Sequence, residues 1–273
     1  SKGELKTIAQ RRKGLQRQFP NMVELEAEAA FREPATASEL PADGTLIDDI
    51  KVSRTILGAV RRKAIRRGFM RSDADAARRR DTVRIGIPRV LSMHSTGPFW
   101  RAYFQTLGLR PENVVFSTET NEELWLKGGK YGSVDPCYPA KVVQAHIHQL
   151  LAGESDRRGK VDYIFLPGLT HIPSFLEYTK DSASCPIISG AAAVNRAAFT
   201  KDVNFFQRAG VEYVDPSLTL IEPNYLKAQM FDYWGGRLGV TQDESDHAID
   251  RAYEALARFE SGLQAKGRKI LDS

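Results

Sequence analysis

Residues 83–91 (VRIGIPRVL) and 161–168 (VDYIFLPG) decide the fold. Each is a short apolar run closed by Pro or Gly, the pattern of a strand buried on both faces. Working outward, residues 97–108 (GPFWRAYFQTLG) read as a helix opened near Pro98 and closed by Gly108. Residues 113–118 (NVVFST) read as a second strand, and 121–129 (NEELWLKGG) as a short helix. Residues 138–151 form a strong helical pattern, with Val143, Ile147, Leu150 and Leu151 at i, i+4, i+7 and i+8 and Gly153 as the stop. The segment 185–189 (CPIIS) reads as a fourth strand, 191–199 (AAAVNRAAF) as the helix after it, and 211–217 (VEYVDPS) as a last strand. Strands alternating with helices imply a mostly parallel sheet covered on both faces. The expected fold class is therefore α/β, a three-layer Rossmann-like (flavodoxin-like) domain.

Two flanking segments differ from this texture. Residues 1–82 hold 18 Lys/Arg against 12 Asp/Glu, whereas 83–273 hold 21 against 22, so the basic character belongs to the N-terminal third. That third reads as an arm: one short helix between Pro20 and Pro34, a small-residue linker, and an amphipathic helix over 48–68. Ile50, Leu57, Val60 and Ala64 would form its apolar side, with Arg61, Arg62, Lys63, Arg66 and Arg67 around the rest. At the other end, residues 244–271 carry Ile249, Ala252, Leu256, Phe259 and Leu263 at spacings of 3, 4, 3 and 4, a seam for packing on the domain or on a partner helix. The expected organisation is a basic arm (1–82) with one or two helices, a Rossmann-like domain (83–242) and a long C-terminal helix (243–273).

Composition excludes several function classes. An apolar fraction of 42% with 27% charged residues supports a packed core rather than a disordered chain. No apolar run approaches the ~20 residues of a membrane helix, so no membrane partner is expected. The basic runs lack interleaved aromatics and a helix-turn-helix pattern, so no nucleic-acid partner is expected. Two cysteines cannot make a disulfide framework, which points to the cytoplasm. There is no GxGxxG after a strand, no GxxxxGK[ST] and no GxSxG.

In open parallel sheets, ligands bind beyond the carboxyl ends of the strands. The loops there are 88–98, 117–121, 133–139, 167–174 and 185–191, and they contain both cysteines. Cys137 stands immediately before the 138–151 helix, where free backbone N–H groups and the helix dipole stabilise a thiolate. Cys185 stands before a proline in SASCPIISG. Thiolates beside prolines suit iron–sulfur ligation. The alternative is that both are small core hydrophobes. His94 and His171 lie in ligand-edge loops, while His146 and His148 sit two apart on a helix and so off one face.

The motifs RIGIPRVL followed by HSTGPFW, SVDPCYPAKVVQAHI, VDYIFLPG and SCPIISG resemble a domain of the large CoA-substrate-specific activase proteins. Those are related to the 2-hydroxyglutaryl-CoA dehydratase and benzoyl-CoA reductase systems. The closing AYEALARFESGLQAKGRKILD is similar to that family's exit helix, and the resemblance covers roughly 83–272. It implies a [4Fe–4S] cluster with Cys137 and Cys185 as ligands, and a further cysteine just after VDYIFLP, where this sequence has Gly168. Arg89, Lys141 and His171 would then stand behind the ligands or at the substrate edge. The resemblance also implies partners: other domains of a longer parent protein, which would bind ATP, and a dehydratase- or reductase-type iron–sulfur enzyme. These 273 residues would be a piece of that parent and would not be catalytic alone. Two alternatives stay open: a cluster-free interaction module, and a domain that binds an acyl-CoA.

Overall fold

The structure is a computed structural model that describes residues 21–31, 39–54, 60–130, 137–174 and 182–272, with positions 3, 4, 6–8, 10, 11, 14 and 178. Its centre is a four-stranded parallel sheet: β3 (Ile85–Ile87), β4 (Val114–Phe116), β5 (Tyr163–Phe165) and β7 (Glu212–Val214), in the order β4-β3-β5-β7. Alternate residues of each strand supply two cores. On one face Ile85, Ile87, Phe165 and Val214 pack under α3 (Met93–Thr106), α8 (Pro223–Leu238) and α9 (Gln242–Leu271). On the other, Val115, Ile164 and Tyr213 pack under α5 (Tyr138–Ala152), α6 (Pro186–Thr200) and the short α7 (Phe205–Ala209). The fold is therefore the three-layer, Rossmann-like α/β arrangement. Gly86 lets α5 come close, since a Cβ there would stand 2.8 Å from Leu150 Cδ2.

The first core is aromatic. Phe104, Phe165 and Trp234 meet edge to face at centroid distances of 4.9–5.6 Å, a geometry that aromatic quadrupoles favour. Beyond Pro167 and Pro216 the second pair of strands bends away as β6 (Gly168–His171) and β8 (Ser217–Thr219), a separate parallel pair at the carboxyl edge. Short α4 (Glu122–Gly128) follows β4.

Three sequence expectations change. Where a helix was expected over 48–68, β1 (Leu46–Arg54) pairs antiparallel with β2 (Val60–Gly68), and Leu57 lies outside the described residues. The β-branched residues Ile47, Ile50, Val52, Val60 and Ile65 suit a ribbon, and Asp48 and Arg66 are paired across the strands. Seven of the 39 basic and two of the 34 acidic side chains fall within 46–68, leaving 32 of each sign elsewhere. The whole net charge of the chain is thus that of the ribbon. Second, CPIIS is not a strand: Cys185 is the N-cap of α6 and Pro186 its first residue, a position where the missing N–H costs nothing. Third, α3 starts at Met93, with Pro98 in its second turn.

The long C-terminal helix lies on α3 and α8 through Ala248, Ile249, Ala252 and Leu256. A capping box of Thr241 and Glu244 opens it. The arm is tied to this point. Arg67 donates to both Asp243 oxygens at 2.5 and 2.6 Å. The fully buried Glu244 receives Arg71 Nε at 3.1 Å and the Ser72 hydroxyl at 2.9 Å. The arm also holds the helices α1 (Met22–Phe31), on α3, and α2 (Ala74–Arg80). No helix among the described residues is long and apolar enough to cross a membrane.

Candidate functional site

The carboxyl edge of the sheet gathers the polar groups. Arg89 leaves β3, its backbone N–H donating to Ser117 Oγ at 2.7 Å, and Ser117 is the first residue after β4. The Ser117 hydroxyl also pairs with His146 Nδ1 at 2.8 Å, while Thr120 Oγ1 pairs with His146 Nε2 at 2.9 Å. One ring nitrogen donates and the other accepts, as a neutral imidazole requires. Burial pushes His146 down to about 4, with His94 and Arg89 adding to the effect. The imidazole therefore serves as an uncharged strut that ties α5 to the loops following β3 and β4. Gln149, one turn on, grips the Thr118 N–H and hydroxyl at 2.9 and 2.7 Å.

The Arg89 side chain is largely buried and forms an ion pair with Glu119 at 3.3 Å. Burial, then the nearby Arg89 charge, lowers His94 from its ordinary value. A cleft of about 490 Å³ opens here between α1 and these loops, lined by Glu24, Glu28, Arg89, His94, Glu119 and Thr120. That is within the size range of small-ligand sites.

Both cysteines are exposed free thiols. Cys137 is the N-cap of α5 and Cys185 the N-cap of α6. Each helix runs back between parallel strands and the two pack on each other, so both N-termini point to the carboxyl edge. Lys141 is half-buried in the first turn of α5, its N–H donating to the Cys137 carbonyl at 3.2 Å. His171 ends β6, where its Nδ1 pairs with Thr170 Oγ1 at 3.2 Å and its backbone bridges to Ala183. Arg89 belongs to the His146 network, whereas Lys141 bonds back to Cys137 and His171 to Thr170.

These residues do not complete a [4Fe–4S] set. No group of three or more His, Cys, Asp or Glu positioned to hold a metal occurs among the described residues. Gly168, where the resemblance implies a further cysteine, carries α6 against its backbone: a Cβ there would collide with the Ser189 carbonyl oxygen.

The family model described as the CoA enzyme activase uncharacterised domain matches residues 84–273. The chain belongs to this family. Comparison with curated proteins and with solved structures returned no match. The matched stretch takes in the whole sheet, both cysteines and α9, and leaves α1, α2 and the ribbon outside.

The sequence pointed to this edge through its cysteines and Arg89. It did not single out Ser117 or Thr120. The cluster of hydroxyl residues in STETN, directly after a strand, was the available signal for both.

Proposed function

We propose that this activase-family domain supplies half of an iron–sulfur electron-transfer site, with Cys137 and Cys185 as thiolate ligands. The remaining ligands would come from a second copy of the chain. In such a system ATP, bound elsewhere, drives electron transfer toward a dehydratase or reductase that acts on an acyl-CoA. When bound, the cluster would supply a one-electron carrier. The chain's own residues hold the two thiols at helix N-termini and brace α5 through His146. The exposure of both cysteines carries this reading, because a structural cysteine is ordinarily buried.

The rival reading is a cluster-free scaffold, and the closed Gly168 position favours it. Iron and acid-labile sulfide measured on the full chain after anaerobic reconstitution separate the two. The expected result is about four irons per two chains, lost in Cys137→Ala and in Cys185→Ala, with both thiols shielded from maleimide. No iron uptake, with both thiols still reactive, would leave the scaffold.

A further inference from the structure

The ribbon of β1 and β2 lies outside residues 84–273, the stretch that matches the family. It is a sheet of two strands, so among the described residues each strand has one edge with no strand beside it. Side chains alternate between its faces. Leu46, Ile50, Val52 and Val60 stand on one face, each more than half exposed. Lys51, Ser53, Arg61 and Lys63 stand on the other.

Charge is sorted along the ribbon as well as across it. Its two acidic residues, Asp48 and Asp49, sit near the root, paired with Arg66 and Arg67. Farther out, Lys51, Arg61, Arg62 and Lys63 are exposed and form no ion pair among the described residues. Lys51 and Lys63 are direct cross-strand partners, and like charges so placed weaken a strand pair. The ribbon thus keeps open edges, an apolar face and a cationic face, at some cost to its own stability.

We propose that the ribbon is a docking template for an extended acidic strand of another protein, one in which carboxylate and apolar residues alternate. Strand addition to an open edge supplies main-chain hydrogen bonds. With the same two-residue period, the apolar side chains of the added strand extend the apolar face, and its carboxylates meet Lys51, Arg61 and Lys63. Charge complementarity selects this occupant. A second copy of the ribbon would set cations against cations. A lipid surface or a nucleic acid would engage one face and leave the other in water. Neither cysteine takes part.

Fluorescence anisotropy of a labelled peptide of about ten residues, alternating Glu and Val, tests the template when the full chain is titrated into it. Saturable binding is expected, weakening about tenfold as salt rises from about 0.05 to about 0.5 M. Bound peptide should also slow amide exchange along β1 or β2. Lys63→Glu is expected to weaken binding about tenfold. It sets a carboxylate opposite Lys51, which favours the hairpin, so the loss reports recognition rather than unfolding. Arg61→Glu, made separately, should act in the same direction. A peptide of the same composition with its Glu residues in one block should bind about tenfold more weakly, because it cannot match both faces. Equal binding of the two peptides would mean that charge alone is read, and would overturn the proposal, as would no binding of the alternating peptide. Duplex DNA or phosphatidylserine vesicles that bind more tightly than the peptide, and lose binding in Lys63→Glu, would give the face to nucleic acid or lipid and overturn it. Exchange over β1 and β2 that slows with protein concentration alone would assign the face to a second copy, and would overturn it too.

Discussion

Ile85 and Ile87 on β3 are fully buried, whereas Ile50 on β1 and Val60 on β2 are more than half exposed. The same residue types build both regions, and both are strands. The sheet is covered on its two faces by helices, and its strands need only three residues each. The ribbon has nine-residue strands, and Leu46, Ile50, Val52 and Val60 on one side of it are all exposed. A lone two-stranded ribbon is marginal in water. What holds this one is its root, where Arg67 joins Asp49 to Asp243. One region is thus stabilised by apolar burial and the other by a few charged hydrogen bonds.

That contrast can be broken at three points. Trp234→Ala removes a fully buried ring from the aromatic core and is expected to cost about 3–5 kcal/mol by urea denaturation. A loss below that range would mean the sheet core is not the main source of stability. Asp243→Asn cuts the root of the ribbon, where the carboxylate is only 7% exposed. The expected loss is about 1–3 kcal/mol, with faster amide exchange along β1 and β2. The pH dependence has a definite sign. Hydrogen bonding to Arg67 holds the Asp243 carboxyl below its ordinary 3.8, and the same partner does so for Asp49. This stabilisation is complete above the ordinary value and drains away as pH falls through the lowered one. Ribbon exchange should therefore accelerate in acid before the sheet unfolds, and simultaneous loss of both would refute the division. The smallest effect is expected from Ile50→Ser on the exposed face, within about 0.5 kcal/mol in the same denaturation assay. A larger cost would mean that something covers that face.

The helical spacing of Ile50, Leu57, Val60 and Ala64 suggested a helix over 48–68, yet Ile50 and Ala64 are cross-strand partners. For Ile50, Val60 and Ala64 a helical spacing and the hairpin register place the same side chains on one face, so periodicity alone could not separate them. CPIIS misled in a different way: its β-branched pair matches a strand, while Pro186 at the first position and the alanines that follow match a helix start. The site was half legible. Arg89 and both cysteines stood in loops that the parallel sheet necessarily brings to one edge. His146 was visible as a residue, but its hydroxyl partners lie 26 and 29 positions away, and only the packed fold joins them.

By itself the sequence determined the parallel sheet, because buried strands and amphipathic helices announce themselves by local apolar pattern. It also determined the family, through motifs that span the sheet domain. Only the tertiary structure decided that the cysteines are exposed and that Gly168 leaves no room for a side chain. Burial and close approach depend on which distant residues arrive. A chain read along its length carries the pattern of its elements but not the identity of their neighbours.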